Sequence, residues 1–428
     1  MRLLPADLPE RAALSLEVHA RPSEPLAAPG RASYLAVLVD ADERERELAH
    51  LARLCRTHGQ PAPAADAVHW SGAVGAVRLK WERHGEFSSY TLLMPGEAPA
   101  PFADPAAAQL PAGWLAGVPG LTVYAGHAEL RPADDALNLP AIQQAWFNGH
   151  PVVGSAVGDG AGLAYSDFLT HPDGFGRILL VDQGFTPLVA GRMLQRLFEI
   201  EAYRMMALLA FPVARRLSPR LLAIERALAG LTDDIARDGG RDENLLQELT
   251  RLAAEVESGL SASQFRFGAC RAYAELVRTR IAELRERRLS GLQTLDEFMS
   301  RRFTPAVATC ATVSQRMHDL SERVAQASHL LSTRVDIARE KQNHALLASM
   351  DRRAKLQLRL QQTVEGLSIA AIVYYMAGVV GYVAKGGRAL GLPLNVDLFV
   401  GLSVPVLALL ALNAVRHARR RASETEAN

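Results

Sequence analysis

The sequence predicts an α+β fold in which a mixed-sheet domain precedes a long-helix bundle or coiled-coil stalk and a two-helix transmembrane hairpin. Most prolines, glycines and short β-like runs lie in the first part of the chain, and a region rich in Leu, Ala, Arg, Glu and Gln follows. Two uncharged apolar segments lie near the C-terminus. We therefore expect a cytoplasmic α/β domain over residues 1–185, a helical stalk over 186–365, and a membrane hairpin with a basic cytoplasmic tail over 366–428.

The overall charge argues against a nucleic-acid partner. The 428 residues include 47 basic and 46 acidic side chains, so the formal net charge is +1 and any basic patch must be local.

The three cysteines are far apart and form no CxxC pair, which is typical of a protein in a reducing compartment. The first 30 residues contain no continuous apolar run, so we expect no cleavable secretory signal.

The first domain alternates strand and helix patterns. The run SYLAVLVD (33–40) predicts a buried strand, and the segment after it predicts a helix that Gly59 terminates. Two alternating runs on either side of His84 and Gly85 predict a hairpin. Further strand candidates are LTVYAGHAEL, PVVGSAV, GLAYSDFL and RILLVD. A mixed sheet with flanking helices is the simplest packing that covers these strands.

The second domain predicts long helices. Thr186 is a predicted N-cap with Pro187 at the first helical position, and Pro212 should kink or end this helix. We expect further breaks at Ser218–Pro219, in DGGRDEN and near Thr304–Pro305.

A coiled-coil seam is predicted in the last part of this domain. Steps of about four and three residues separate the apolar positions 313, 317, 320, 324, 327, 331, 335 and 338. The spacing fits an intramolecular antiparallel bundle and packing between subunits equally well.

Two segments are apolar enough to cross a bilayer. Leu367–Ala384 and Leu398–Val415 each contain 18 residues without a charge, and each would span about 27 Å as a helix. Both lack the polar stripe of an ordinary globular helix, which makes two buried core helices the weaker alternative.

The flanking charges orient this hairpin. Four basic residues precede the first span, four follow the second, and only Lys385 and Arg388 lie in the linker 385–397. By the positive-inside rule, we expect both termini in the cytoplasm of a two-pass protein of the inner (cytoplasmic) membrane. The outer groups are Arg352, Arg353, Lys355, Arg359, Arg416, Arg419, Arg420 and Arg421.

Small residues in the first span predict a helix contact. Gly378 and Gly381 lie on neighbouring turns, where they would let a second membrane helix approach closely. Together with Tyr382 and Lys385, they are our candidates for pore or helix-contact residues. The alternative is that glycine is simply common in spanning helices.

Two segments resemble an uncharacterised bacterial family of predicted membrane-anchored proteins, and the resemblance covers nearly the whole chain. They are LEVHARPSEPLAAPGRASYLAVL and VEGLSIAAIVYYMAGVVGYVAKG. The first contains Glu17, His19, Arg21 and Pro22, which place a carboxylate, an imidazole and a guanidinium close together. This motif either binds a ligand such as phosphate or braces the start of the sheet domain.

The order of the domains also resembles the CorA-type divalent-cation transporters. That resemblance implies a homo-pentamer in which the first spans surround a pore and a Gly-Met-Asn triplet forms the filter. Here the equivalent position reads Gly381-Tyr382-Val383. Without the asparagine amide, and with Lys385 near the mouth, magnesium selectivity of that kind is not expected.

No other constellation predicts an activity. Asp167, His171 and Asp173 could ligate a metal if their loop folded on itself, but no CxxC or HExxH pattern supports such a site. We therefore assign no catalytic residue, metal or cofactor, and expect no enzyme.

Two functions remain open. The chain is a CorA-like oligomer that passes an ion or small solute, or a membrane-anchored scaffold or envelope-related factor that transports nothing. Its expected partners are the lipid bilayer and further copies of itself, and the sequence identifies no other protein partner.

Overall fold

A computed structural model describes residues 7–11, 14–15, 22–134, 137–237, 242–389 and 395–425. The chain divides into two compact units, Met1–His329 and Leu330–Asn428. The first unit contains the sheet and most of the helices. The second contains the apolar hairpin, and each unit is described by itself.

One mixed sheet forms the centre of the first unit. Its strands are β1 (Gly30–Leu38), β2 (His69–Val74), β3 (Val77–Arg83), β4 (Phe87–Pro95), β5 (Leu121–Pro132), β6 (Val153–Val157), β7 (Gly162–Ser166), β8 (Gly176–Asp182) and β9 (Arg287–Arg288). Their order is β2-β3-β4-β1-β5-β8-β7-β6-β9. Among the strands of the described residues, only β5 and β8 pair in parallel, so the predicted mixed sheet is confirmed.

The helices flank the sheet and then continue to the C-terminus. They are α1 (Arg44–Thr57), α2 (Leu139–Trp146), α3 (Pro187–Leu208), α4 (Ala210–Ala236), α5 (Asp242–Leu284), α6 (Leu295–Arg302), α7 (Thr304–Ala389) and α8 (Val396–Thr425). Thr186 caps α3 as predicted, because its side chain accepts a hydrogen bond from the Val189 N–H.

Strand β1 is buried on both faces, as the apolar run SYLAVLVD predicts. Leu35 and Val37 join the core that also contains Leu51 and Leu54 of α1. Tyr34 lies on the opposite face, where its ring stacks on Phe198 of α3 with the ring centroids 5.1 Å apart. The period-two alternation of side chains along a strand thus places alternate residues of β1 against α1 and against α3.

Proline shapes the helices in two different ways. Helix α3 ends at Leu208, four residues before Pro212, because Pro212 has no N–H to donate to the Leu208 carbonyl. The predicted break at Ser218–Pro219 is wrong, since α4 continues through both residues. Beyond them, a buried stripe continues along the helix, and its packing offsets the roughly 3 kcal/mol cost of an internal proline. The stripe consists of Leu221, Ile224 and Leu228.

The first part of the predicted coiled-coil seam is buried against helices of the same chain. Met317 lies 3.7 Å from the Ser263 hydroxyl of α5, measured from Sδ to Oγ. Beside it, Arg316 donates a hydrogen bond of 2.8 Å to Glu225 of α4. An intramolecular bundle therefore accounts for the buried residues Val313, Met317, Leu320 and Val324.

The second unit is a helical hairpin with a shorter connection than predicted. Helix α7 extends to Ala389, so Lys385–Arg388 are helical rather than part of a 13-residue linker. Two glycines cost a helix only about 1 kcal/mol each relative to alanine. Continuing the helix also keeps backbone groups hydrogen-bonded.

A buried carboxylate connects α1 to the sheet. Glu47 is fully buried, and its Oε1 accepts hydrogen bonds from Trp81 Nε1 at 3.0 Å and from the Tyr90 hydroxyl at 2.9 Å. Burial, followed by the charge of Glu47, raises the pKa of Tyr90, so the phenol remains a donor.

We expect Glu47→Ala to lower the free energy of unfolding by about 2 to 4 kcal/mol, because it leaves two buried donors without an acceptor. All four tryptophans, Trp70, Trp81, Trp114 and Trp146, lie in the sheet region, so urea unfolding followed by tryptophan fluorescence reports on this domain. The matched control is Glu45→Ala on the exposed face of α1, which should stay within about 0.5 kcal/mol of the wild type. Equal effects of the two substitutions would contradict the assigned role of Glu47.

A buried histidine makes the sheet domain sensitive to acid. His127 stacks on Phe175, and its Nδ1 lies 2.9 Å from the Ser33 hydroxyl. Ser33 Oγ also accepts the Ala107 N–H at 3.0 Å. Burial lowers the pKa of His127 from 6.5 to about 4, because the charged form loses its hydration.

Between pH 7 and pH 5, we expect the wild-type protein to lose about 2 kcal/mol of stability that His127→Gln does not lose. The unfolded state binds a proton at the ordinary pKa of 6.5, whereas folded His127 stays neutral until about pH 4. Urea midpoints at both pH values measure this difference, with His69→Gln at an exposed strand position as the control. Identical pH profiles for wild type and His127→Gln would contradict the buried neutral imidazole.

Candidate functional site

The four residues predicted as pore or helix-contact candidates, Gly378, Gly381, Tyr382 and Lys385, lie around one groove of the hairpin. The groove has a volume of about 790 Å³ and lies between α7 and α8. At one end, Lys385 Nζ lies 5.9 Å from the centroid of the Tyr382 ring. The residues that line it include Tyr375, Gly378, Gly381, Tyr382, Lys385, Asp397 and Val400.

The two glycines of this groove have different surroundings. A β-carbon at Gly381 would lie 3.4 Å from Val400 Cγ2, so Gly381 lies at the contact with α8. At Gly378, a β-carbon would meet no described atom within 4 Å. Gly381 therefore contributes to the contact inside the hairpin, whereas Gly378 has open space beside it in the groove.

An exposed stripe runs along α7 beside the groove. It consists of Tyr375, Gly378, Tyr382 and Lys385, spaced three and four residues apart so that they share one helix face. The side chains of Tyr375 and Tyr382 are 74% and 77% exposed. We call these four residues the exposed stripe.

The serine hydroxyls of the two predicted spans are bonded within their own helices. Ser368 Oγ donates to the Val364 carbonyl at 2.9 Å, and Ser403 Oγ donates to the Val400 carbonyl at 2.8 Å. Each hydroxyl has therefore used its single donor on its own helix.

Within the described residues, two helices are long and apolar enough to cross a membrane by length and composition: the helix that ends at Ala389, and Val396–His417. Core helices of soluble proteins pass the same test, but they are mostly buried. Here only 11% of the apolar 18-residue stretch is buried in the first helix, and 0% in the second.

The N-terminal motif is only partly described. Glu17, His19 and Arg21 lie outside the described residues, and Pro22 is exposed. The chain just after the motif lies on the sheet domain, where Glu24 pairs with Arg78. Both interpretations of the motif stay open.

A cluster that the sequence indicated only in part lies just after β7: Asp167 and His171 were possible ligands there, whereas His150 was not. Asp167 Oδ2 accepts hydrogen bonds from His150 Nδ1 at 3.0 Å and from His171 Nε2 at 2.9 Å. Its other oxygen, Oδ1, accepts the Leu169 N–H at 3.2 Å. Asp173 is not a member, because its carboxylate accepts the Phe175 N–H in the next turn.

The turn after α2 brings His150 to this cluster. Asn148 and Gly149 both have positive φ, 55° and 79°, which reverses the chain at the end of the helix. The Asn-Gly pair is a recognisable turn signal, but it could not indicate that the next residue meets a loop 17 positions later.

Burial is uneven across this cluster. The side chains of Asp167 and His171 are 0% and 1% exposed, and that of His150 is 42% exposed. In the part of the chain that the structure describes, Asp167 forms no salt bridge with a lysine or arginine, and His171 Nδ1 has no hydrogen-bond partner. The carboxylate is thus buried between two imidazoles, and one of them reaches solvent.

Comparison with known proteins agrees with the family resemblance seen in the sequence. Residues 6–422 match the family described as Protein of unknown function (DUF3422). No curated protein matches the chain. The family description assigns no activity, and the match does not test the similarity to CorA-type transporters. Because the match covers nearly all 428 residues, the chain belongs to the DUF3422 family.

Proposed function

We propose that this protein is a two-pass protein of the inner membrane that assembles into a CorA-like homo-oligomer through its first span. Its sheet and helical domains lie in the cytoplasm, and it has no enzymatic activity and no nucleic-acid partner. The observation that carries the proposal is the exposure of nearly all apolar side chains of the hairpin within a single chain.

The hairpin has the geometry of an integral membrane anchor. Gly381 lies beside Val400, and a second groove places Val415 near Ser368, so the two helices run antiparallel. Their remaining surface is apolar and uncovered, with exposed residues such as Val379 and Leu409. In water such a surface is costly, whereas in lipid it needs no further partner.

Self-association rests on the exposed stripe. Gly378 has open space above it, and two exposed tyrosines flank it on the same face of α7. A small residue between large ones lets a second helix approach closely. By the resemblance to CorA-type proteins, this helix face would surround the axis of a pentamer.

Passage of an ion or small solute along that axis is part of this proposal, without a Gly-Met-Asn filter. The groove supports it by placing two opposite charges, Lys385 and Asp397, near the outer ends of the spans. A ring of lysines would oppose cations, so an anionic or neutral solute fits better.

The second candidate is a membrane-anchored scaffold or envelope-related factor without transport. The internal bonding of Ser368 and Ser403 favours it, because these hydroxyls offer no free donor to a passing solute. A scaffold needs only the apolar surface.

The topology predicts opposite labelling of two introduced cysteines. A membrane-impermeant maleimide should label Asn395→Cys in intact cells, but His344→Cys only after lysis, because the linker lies outside and the stalk inside. Both positions are exposed, and the three native cysteines are buried, which keeps the background low. Labelling of His344→Cys in intact cells, or of Asn395→Cys only after lysis, would reject this orientation.

Self-association predicts an oligomer in detergent, a pentamer by analogy. Gly378→Leu should shift the protein to smaller species in native mass measurements, because the added side chain prevents close helix approach. Gly401→Leu is the matched control, since this glycine also faces open space but lies on the second span. A monomeric wild-type protein would remove both the oligomer and the transport function and leave the scaffold.

A further inference from the structure

We propose that His150, Asp167 and His171 form a binding site for a divalent transition-metal ion of the zinc class. The site belongs to the sheet domain and is independent of the proposed membrane function. It arises only in the folded chain, because the turn after α2 and the loop after β7 both contribute to it.

The chemistry of the three side chains selects the class of ion. Two imidazoles and one carboxylate are the ligands that zinc and other late first-row metals prefer, whereas magnesium and calcium prefer oxygen ligands. The site is therefore unrelated to the magnesium chemistry of CorA-type transporters.

The electrostatic environment of Asp167 favours a bound cation. Its carboxylate is fully buried, and the described residues provide it with no lysine or arginine partner. Buried charges in proteins are normally paired or coordinate a metal. Hydrogen bonds from the two imidazoles satisfy the oxygen atoms, and a bound cation would compensate the charge.

The geometry requires only a small adjustment. One potential ligand atom from each residue lies within 4.8 Å of the others. Ligand atoms of tetrahedral zinc are about 3.4 Å apart, from metal–ligand distances near 2.0–2.1 Å. The rings must move slightly away from Asp167, which they contact at 2.9 and 3.0 Å, and towards each other. On metal binding, the proton of each ring moves from the nitrogen that faces Asp167 to the other ring nitrogen, Nε2 of His150 and Nδ1 of His171, so that both rings coordinate as neutral imidazoles.

The exposure of His150 provides the route of entry. Because the other two ligands are buried, the ion must approach past the half-exposed His150 side chain. Three protein ligands leave a fourth position for water, as in zinc sites that are not purely structural. His171 Nδ1 has no acceptor among the described residues, and a metal-ligating imidazole usually has one. We therefore expect reversible binding rather than a permanently bound ion.

Metal titration of the untagged full-length protein in detergent tests the site. We expect one Zn²⁺ per chain by calorimetry, a tetrahedral Co²⁺ spectrum in the visible range, and no competition from excess Mg²⁺. His150→Gln should weaken Zn²⁺ binding by at least about 10-fold. Even the loss of a residue that only hydrogen-bonds to a metal ligand weakens metal binding by about this factor, and in this proposal His150 is itself a ligand. His150 is half-exposed, so this variant should remain folded, as circular dichroism will check.

His69→Gln is the matched control, because it removes an exposed imidazole from another strand of the same sheet. It should bind Zn²⁺ as the wild type does, and Asp167→Asn, if folded, should lose binding. The proposal is overturned if the wild type binds no Zn²⁺, if His150→Gln binds as tightly as His69→Gln, or if Mg²⁺ competes equally. In each of those cases the cluster only braces the loop after β7 against the turn after α2.

Discussion

The uncovered apolar surface of the C-terminal hairpin constrains where this protein can exist. Helices α7 and α8 contact each other along a narrow line that includes Gly381 and Val400, and most of their other side chains remain exposed. Backbone groups inside each described helix are hydrogen-bonded, with an interruption at Pro405 of α8, which has no N–H to donate to the Gly401 carbonyl. The uncovered apolar surface of the hairpin suits an apolar environment, which a lipid bilayer would supply.

The sheet domain has a different source of order. Its core depends on strands that are buried on both faces, and polar side chains inside it are matched to specific partners. Glu47 satisfies Trp81 and Tyr90, and Ser33 satisfies His127. Asp167 is the contrasting case, because both of its side-chain partners are imidazoles, which also ligate metals. This difference separates a structural polar cluster from one suited to a ligand.

Local patterns predicted most elements but few of the long-range contacts. Alternation and turn residues located β1, the β3–β4 hairpin and α1, and the Thr186–Pro187 pair marked the start of α3. Pro219 misled the prediction because packing of the same helix outweighed its local cost. The pairing of β9 with β6 and the approach of His150 to Asp167 depend on residues distant in sequence, which periodicity cannot relate. Gly378 and Gly381 were predicted from the spacing of small residues, but their different surroundings depend on how α7 packs against α8.

Depth measurement in a bilayer tests the central claim most directly. Spin labels at the exposed positions Val379 and Leu409, one on each helix, can be compared in nanodiscs for collision with oxygen, which concentrates in lipid, and with a water-soluble nickel complex. The account predicts high oxygen and low nickel accessibility at both positions, with the reverse at Asn395 outside the spans. Equal nickel accessibility at all three positions would show that the hairpin is in water and would contradict the account.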